Sequence, residues 1–177
     1  MNPSMTTMRV GDRDLTVREI RLDDVDRLQR MFTRLSADTV YHRFFSPIIE
    51  PRRSALIWLT AVDHDRRDAL VALDGDEIVA VARYDAGPEA GTAEVAVTVE
   101  DAWQHRGIGR RLTARLARRA VDHGIASFTA SVMADSRPAL GLCASSPRTL
   151  RCTSEAAATR RRCRFPARAE TSGLTRG

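Results

Sequence analysis

Six consecutive residues, Gln104-His105-Arg106-Gly107-Ile108-Gly109, carry the clearest chemistry in this sequence. They stand between a run that alternates apolar and polar residues and a run whose apolar residues recur every fourth position, which makes them a strand-to-helix turn. A helix start exposes main-chain N–H groups and the positive end of the helix dipole, and glycines let a phosphate approach both closely. The segment therefore suits a pyrophosphate, with Arg106, Arg110 and Arg111 as charged donors. His105 lies in the same turn, where a histidine is most simply exposed. A dinucleotide-type GxGxxG pattern fails at Leu112, where its third glycine belongs, and a GxxxxGK phosphate loop is excluded because the chain has no lysine.

The elements that must hold this turn follow from periodicity. Thr92 to Glu100 alternates strictly, with Ala93, Val95, Val97 and Val99 on one face and Glu94, Ala96, Thr98 and Glu100 on the other, which predicts a strand. Ile108, Leu112, Leu116 and Ala120 predict a helix that ends at His123-Gly124, with Arg115, Arg118 and Arg119 on its solvent side. Ile125 to Ala134 reads as a second strand, and a strand–helix–strand crossover puts the two strands parallel. Upstream, Leu15 to Arg21 is a half-buried strand. Asp23 or Asp24 then caps an amphipathic helix built on Val25, Leu28, Met31, Phe32 and Leu35, which ends at the polar turn Ser36-Ala37-Asp38. Tyr41 to Pro47 is an aromatic cluster halted by proline, in which His42 packs or shapes a pocket. A second helix starts near Pro51 and carries Leu56, Ile57 and Leu59. Ala69 to Leu73 and Glu77 to Tyr84 flank the turn Asp74-Gly75-Asp76 as a hairpin. The fold class is α/β, with a mixed central sheet flanked by helices.

The stretch Ala93 to Leu112 resembles the acetyl-CoA motif of the GNAT superfamily of N-acetyltransferases, with Gln104, Gly107 and Gly109 at its defining positions. Val17-Arg18-Glu19-Ile20-Arg21-Leu22-Asp23-Asp24 resembles the opening strand and helix cap of that superfamily. Leu35-Ser36 through Arg43-Phe44-Phe45 is similar to the acetyltransferase domain of bacterial protein lysine acetyltransferases. The resemblance implies a GNAT-like sheet whose fourth family strand splays from the fifth, and acetyl-CoA as co-substrate. It implies that the main chain of Val97, Thr98 and Val99 lies along the pantetheine arm, and that Gln104, His105, Arg106, Gly107, Ile108, Gly109 and Arg110 line the pyrophosphate. It also implies Glu94 as the general base that frees the acceptor amine, against the plainer reading of a solvated strand carboxylate. Glu100 and Asp101 lie nearer the phosphate turn and fit that role less well. The implied reaction moves an acetyl group to a primary amine, of a small molecule or of a protein lysine. The alternative is a catalytically silent or truncated CoA-binding module.

Departures from the family begin at Ser136, which stands where an Asn usually opens the next helix. A serine can cap a helix, but the bond it would make to the cofactor arm is put in doubt. No tyrosine follows to protonate the leaving thiolate. From Cys143 onward periodicity disappears: residues 143–177 hold 8 Arg against 2 Glu, together with Cys143, Cys152 and Cys163, the only cysteines of the chain. The expected layout is thus a flexible leader over residues 1–14, the acetyltransferase domain over 15–142, and an atypical basic tail over 143–177 that is disordered and lacks the family's last strands. These shifts coincide at one point, as a change of reading frame would leave them; a native RNA-binding tail is the competing account.

Composition bounds the rest. Residues 1–142 carry 20 Arg and 21 acidic residues, so the net charge of +5 sits in the tail and argues against nucleic acid as a partner of the domain. An odd cysteine count without CxxC spacing supports neither a disulfide framework nor a zinc site, so no metal is expected. No run of 18 apolar residues spans a bilayer and no secretory signal opens the chain, so the expectation is a soluble cytoplasmic enzyme.

Overall fold

Successive side chains of a strand point to opposite faces, so a strand that is apolar throughout must be covered on both. The run Ala69 to Leu73 within the strand Arg67–Asp74 is such a segment: Leu70 and Ala72 join one buried cluster, while Ala69, Val71 and Leu73 join another. A computed structural model, describing residues 5–44, 51–133, 151–154 and 160–166, shows how each face is covered.

The elements in chain order are β1 (Thr6–Val10), β2 (Arg13–Glu19), α1 (Val25–Thr33), α2 (Ala37–Phe44), α3 (Arg53–Thr60), β3 (Arg67–Asp74), β4 (Glu77–Ala86), β5 (Thr92–Val99), α4 (Ile108–Asp122), β6 (Ser127–Met133), β7 (Arg151–Ser154) and β8 (Arg160–Pro166). One sheet of order β1-β2-β3-β4-β5-β6-β8-β7 contains all the described strands, antiparallel throughout except for the parallel pair β5–β6. Helix α4 buries Ile108, Leu112, Leu116 and Ala120 against one face, as its four-residue period predicts. On the other face α1 buries Val25, Leu28 and Met31, and α3 buries Leu56 in the same cluster. Helix α2 packs on β5 and β6. No helix among the described residues is long and apolar enough to cross a membrane.

Three expectations change. Residues 6–10, read above as part of a flexible leader, form β1, because Met8 and Val10 alternate into the core opposite Leu15 and Arg13. The polar turn and aromatic cluster around residues 36–44 are helix α2, whose first turn is closed by Thr39 N donating to Ser36 Oγ at 3.1 Å. The tail also contributes to the sheet: β8 pairs with β6 from Ser127↔Pro166 to Met133↔Arg160, and β7 pairs with β8, where no regular strands were expected. The register sets Phe165 opposite Phe128 and Cys163 opposite Ala130, a two-residue alternation that the surrounding arginines mask in the sequence.

The entry to α1 rests on charge rather than on an ordinary cap. Arg18 donates to both carboxylate oxygens of Asp24 at 2.7 Å each, and Arg21 N adds a third bond at 2.9 Å. Asp24 is fully buried, so its carboxylate braces β2 against the helix entry and makes no side-chain cap bond to α1. Burial alone raises the Asp24 carboxyl, but the bonds from Arg18 and Arg21 outweigh it and hold it below the ordinary 3.8. The resulting stabilisation is complete above about pH 3.8 and is lost as the pH falls through the lower folded value. Asp24→Asn should cost about 3–5 kcal/mol in urea unfolding at pH 7, because it strands a buried guanidinium. Its stability should also fall less steeply than that of the parent protein below pH 4.

Candidate acyl-transfer site

The two parallel strands of the sheet do not stay together. Strands β5 and β6 pair at Thr92↔Ser127, Ala93↔Phe128 and Glu94↔Thr129, and no further pair is formed, although β5 continues to Val99 against β4. A wedge-shaped gap opens beyond Glu94. The ladder decides what faces it. Glu100 N donates to Val79 O, and antiparallel bonding alternates residue by residue, so the even-numbered residues of β5 direct their main-chain groups to β4. Val95, Val97 and Val99 direct theirs into the gap. Of the three residues implied for the cofactor arm, Val97 and Val99 are therefore placed for it by their main chain. The main chain of Thr98 is committed to β4, and its side chain lines a cavity on the opposite face from α4.

At the wide end of the gap the chain makes the turn singled out in the sequence. His105 and Gly107 both adopt left-handed backbone, at φ 59° and 73°, with Arg106 between them. Arg111 N closes the first helical bond on Gly107 O at 3.1 Å, and no side chain caps the helix. The N–H groups of Ile108, Gly109 and Arg110 thus have no intrahelical acceptor and point out of the helix start, a concave set of donors suited to a diphosphate. Gly109 serves packing as well. A Cβ there would lie 3.3 Å from Val97 Cγ1 and 3.5 Å from Val99 Cγ2, so its absence lets α4 close tightly on the strand that borders the gap. Arg106 and Arg110 are exposed beside the turn, and Arg106 lies 5.2 Å from the centroid of the Trp103 ring.

Several side chains are placed otherwise than the sequence suggested. Gln104 turns away from the donors of the helix start: its Nε2 donates to Thr39 Oγ1 at 3.0 Å and to Val99 O at 3.1 Å, which joins α2 to the end of β5. Asp101 accepts from Ser36 N, Ser36 Oγ and Thr39 Oγ1 at 2.7–2.9 Å. Burial alone pushes its carboxyl up, and these bonds bring it below the ordinary carboxylate value. Glu100 takes a bond from Arg34 Nε at 3.0 Å. Glu100 and Asp101 are accordingly structural. Arg111 bonds the carbonyl of Arg9, and Arg115 bonds Thr6 Oγ1 at 2.6 Å, so both tie α4 to β1. Arg119, expected on a solvated face, bonds the fully buried Asp68 at 2.6 Å and Glu19 at 2.7 Å. His42 Nδ1 bonds Asp38 O at 2.9 Å within α2. Ser136 lies outside the described residues.

Glu94 sits at the last β5–β6 pair, where the gap begins, with an exposed side chain whose Oε1 accepts from Ser131 Oγ at 3.1 Å. Opposite it in the ladder is Asp85, bonded by Arg83 and Arg67. Arg43 of α2 completes this charged group. Burial, then repulsion from Arg83, lowers its guanidinium to about 10, while Glu94 and Asp85 pull the other way. The role of Arg43 here went unread in the sequence. The available signal was Ser36 standing three residues before Thr39, a helix start that would have brought Arg43 round to the sheet.

The profile of the Acetyltransferase (GNAT) family matches residues 28–145. Among curated proteins, acetyltransferase Pat of Mycolicibacterium smegmatis is 35% identical over 122 residues, which are 67% of this chain and 36% of that protein. An acetyltransferase of Pseudomonas aeruginosa is 35% identical over 100 residues, 54% of each chain. The chain therefore spans only 36% and 54% of these two relatives. Among solved structures, the GNAT domain of S. lividans PAT superposes with a TM-score of 0.83 at 27% identity, over 92% of this chain and 96% of that one. A putative acetyltransferase from Salmonella typhimurium, solved with its cofactor acetyl-CoA, shares the fold at a TM-score of 0.69 and 17% identity, over 89% and 96%.

The left-handed pair in the turn can be probed from both sides. His105→Gly should stabilise the protein by about 1 kcal/mol in urea unfolding, by relieving a non-glycine residue of positive φ, and should leave CoA binding intact because the turn's contribution is an N–H. Gly107→Ala should destabilise it by a similar amount and weaken CoA binding in calorimetric titration.

Proposed function

The chain belongs to the GNAT acetyltransferase family, and from that premise we propose that it moves an acetyl group from acetyl-CoA to a primary amine by direct attack within a ternary complex. The observation that carries this reading is the parting of β5 from β6 immediately beyond Glu94, with the donor-lined turn at the far end of the same strand. The distance between them is bridged by main chain: Val97 offers its N–H and C=O and Val99 its N–H to an amide-rich arm, and the start of α4 offers N–H groups to its diphosphate. The surroundings fit acetyl-CoA in chemistry as well as in order, with neutral polar strand edge first and cationic turn second.

Acetyl-CoA supplies an activated acyl carbon. An amine is protonated at neutral pH and attacks only after losing that proton, which Glu94 takes, directly or through one water. The amide C–N bond then forms as the thioester C–S bond breaks, and the second proton lost by the nitrogen passes, directly or through one water, to the departing CoA thiolate. Ser131 holds Glu94 Oε1 and leaves its second oxygen for this task. The acceptor we favour is the ε-amine of a protein lysine, on the likeness of residues 35–45 to protein lysine acetyltransferases and on the exposure of Glu94, which a bulky acceptor can approach. With acetyl-CoA as donor, the compartment we propose is the cytoplasm.

Release of CoA thiol, measured with a panel of small amines and lysine-bearing peptides, tests the reading. Acceptor-dependent release should fall about 100-fold or more in Glu94→Gln, while the affinity for CoA stays unchanged. CoA binding without release for any amine would identify the chain as a catalytically silent CoA-binding module instead.

A further inference from the structure

The face of β5 that carries Glu94 also carries Ala96 and Thr98, and these two form a wall of a cavity of about 40 Å³ beneath α1. Leu28, Met31 and Leu35 roof it, and Val81, directly opposite Thr98 in the β4–β5 ladder, lies in its floor. On a measure in which one water-sized group takes about 10–15 Å³, the cavity has room for about three. Five of the six lining positions named here are apolar and the sixth is Thr98, so this part of the cavity favours hydrocarbon groups over water. Arg43 and Arg83 also border it, on the side toward Glu94. That side carries a cationic excess: Arg83 bonds Asp85 at 3.1 and 3.2 Å, Arg67 bonds the same carboxylate at 2.8 Å, and Asp85 stands opposite Glu94. The cavity therefore runs from a charged end near the base to an apolar end between Val81 and Leu28.

We infer that this cavity is an acyl pocket, and that it admits donors one or two carbons longer than acetyl, namely propionyl- and butyryl-CoA. The inference rests on the acyl-transfer reading above, which runs the donor along Val97. Ala96 and Thr98 flank that residue, so an acyl chain passing from the gap to the Glu94 face of the sheet enters the cavity. The chemistry is unchanged by the longer chain. The amide C–N bond forms, the thioester C–S bond breaks, Glu94 takes the proton of the ammonium, and CoA is released as its thiol. Each methylene moved from water into the cavity contributes about a fourfold gain in affinity, the fold-change equivalent to about 0.8 kcal/mol. An octanoyl chain exceeds the space, and a succinyl chain would carry its carboxylate past the guanidiniums to an end where the Thr98 hydroxyl is the one polar group.

The test compares acetyl-, propionyl-, butyryl-, octanoyl- and succinyl-CoA in the full chain and in Val81→Ile and Val81→Ala, with thermal melting to establish that both variants are folded. Two quantities are read: kcat/KM with one fixed amine acceptor, and Kd without acceptor, against free CoA as reference. Propionyl-CoA should match or exceed acetyl-CoA in both, and octanoyl- and succinyl-CoA should fall well below. Val81→Ile should lower the propionyl-to-acetyl ratio about fourfold, and Val81→Ala should move the optimum toward butyryl. A preference for acetyl- over propionyl-CoA of more than tenfold, a chain-length profile identical in all three proteins, or succinyl-CoA as the best donor would overturn the acyl pocket. If no donor supports transfer but the Kd values keep the expected order, the pocket stands and the transferase reading falls. If free CoA itself does not bind, both fall.

Discussion

A parallel strand pair that separates partway leaves main-chain donors and acceptors facing an opening, and buried groups of that kind need partners. Much of the molecule is arranged around that opening. Strand β4 holds β5 straight through Val99, so β5 cannot follow β6. Helix α4 presses on Val97 and Val99 through the missing side chain of Gly109, which fixes the β5 border from below. Gln104 takes the carbonyl of Val99, the last gap-facing residue of the strand. Strand β8 engages the far edge of β6 along all seven of its residues, which keeps that border in the sheet as well.

Outside the gap, the elements are joined by ion pairs more than by caps. Arg34 connects α1 to Glu77, Glu100 and the carbonyl of Ile78, so one guanidinium fastens the end of α1 to β4 and to the exit of β5. At the opposite edge, Asp68 is fully buried and accepts from Arg119, from His64 at 2.7 Å and from its neighbour Ala69 N at 2.8 Å. These pairs lie between layers whose apolar contacts already decide the packing. They set which strand end meets which helix end more than they set how stable the assembly is.

The parts of this architecture that were legible in the sequence are those governed by local period. The alternation of Thr92–Val99, the four-residue repeat from Ile108 and the Asp74-Gly75 turn identify β5, α4 and the β3–β4 hairpin without reference to anything distant. The parallel sense of β5 and β6 follows from the connection between them. What escaped reading is set by partners far along the chain. Helix α2 is short and polar, and it is held through Ser36 and Thr39 by Asp101 and Gln104, more than 60 residues away. Arg119 looks like any other arginine of a solvent face until β2 and β3 bring Glu19 and Asp68 beneath it. At the site, glycine spacing pointed to the turn, whereas the division of β5 into residues whose main chain faces β4 and residues whose main chain faces the gap depends on the ladder's phase, which no single strand reveals.

The ion pairs have a chemical property in common that bears on the acyl transfer proposed above. Every cation in them is a guanidinium or an imidazole, and the chain has no lysine at any position. Guanidinium groups stay protonated at any physiological pH and are not the amines that thioesters modify, whereas a lysine in the same place would be a target for loss of its charge. The braces at Arg18, Arg34 and Arg119 are thus inert toward any acyl thioester. No side chain of the scaffold offers a primary amine that would let it become its own substrate.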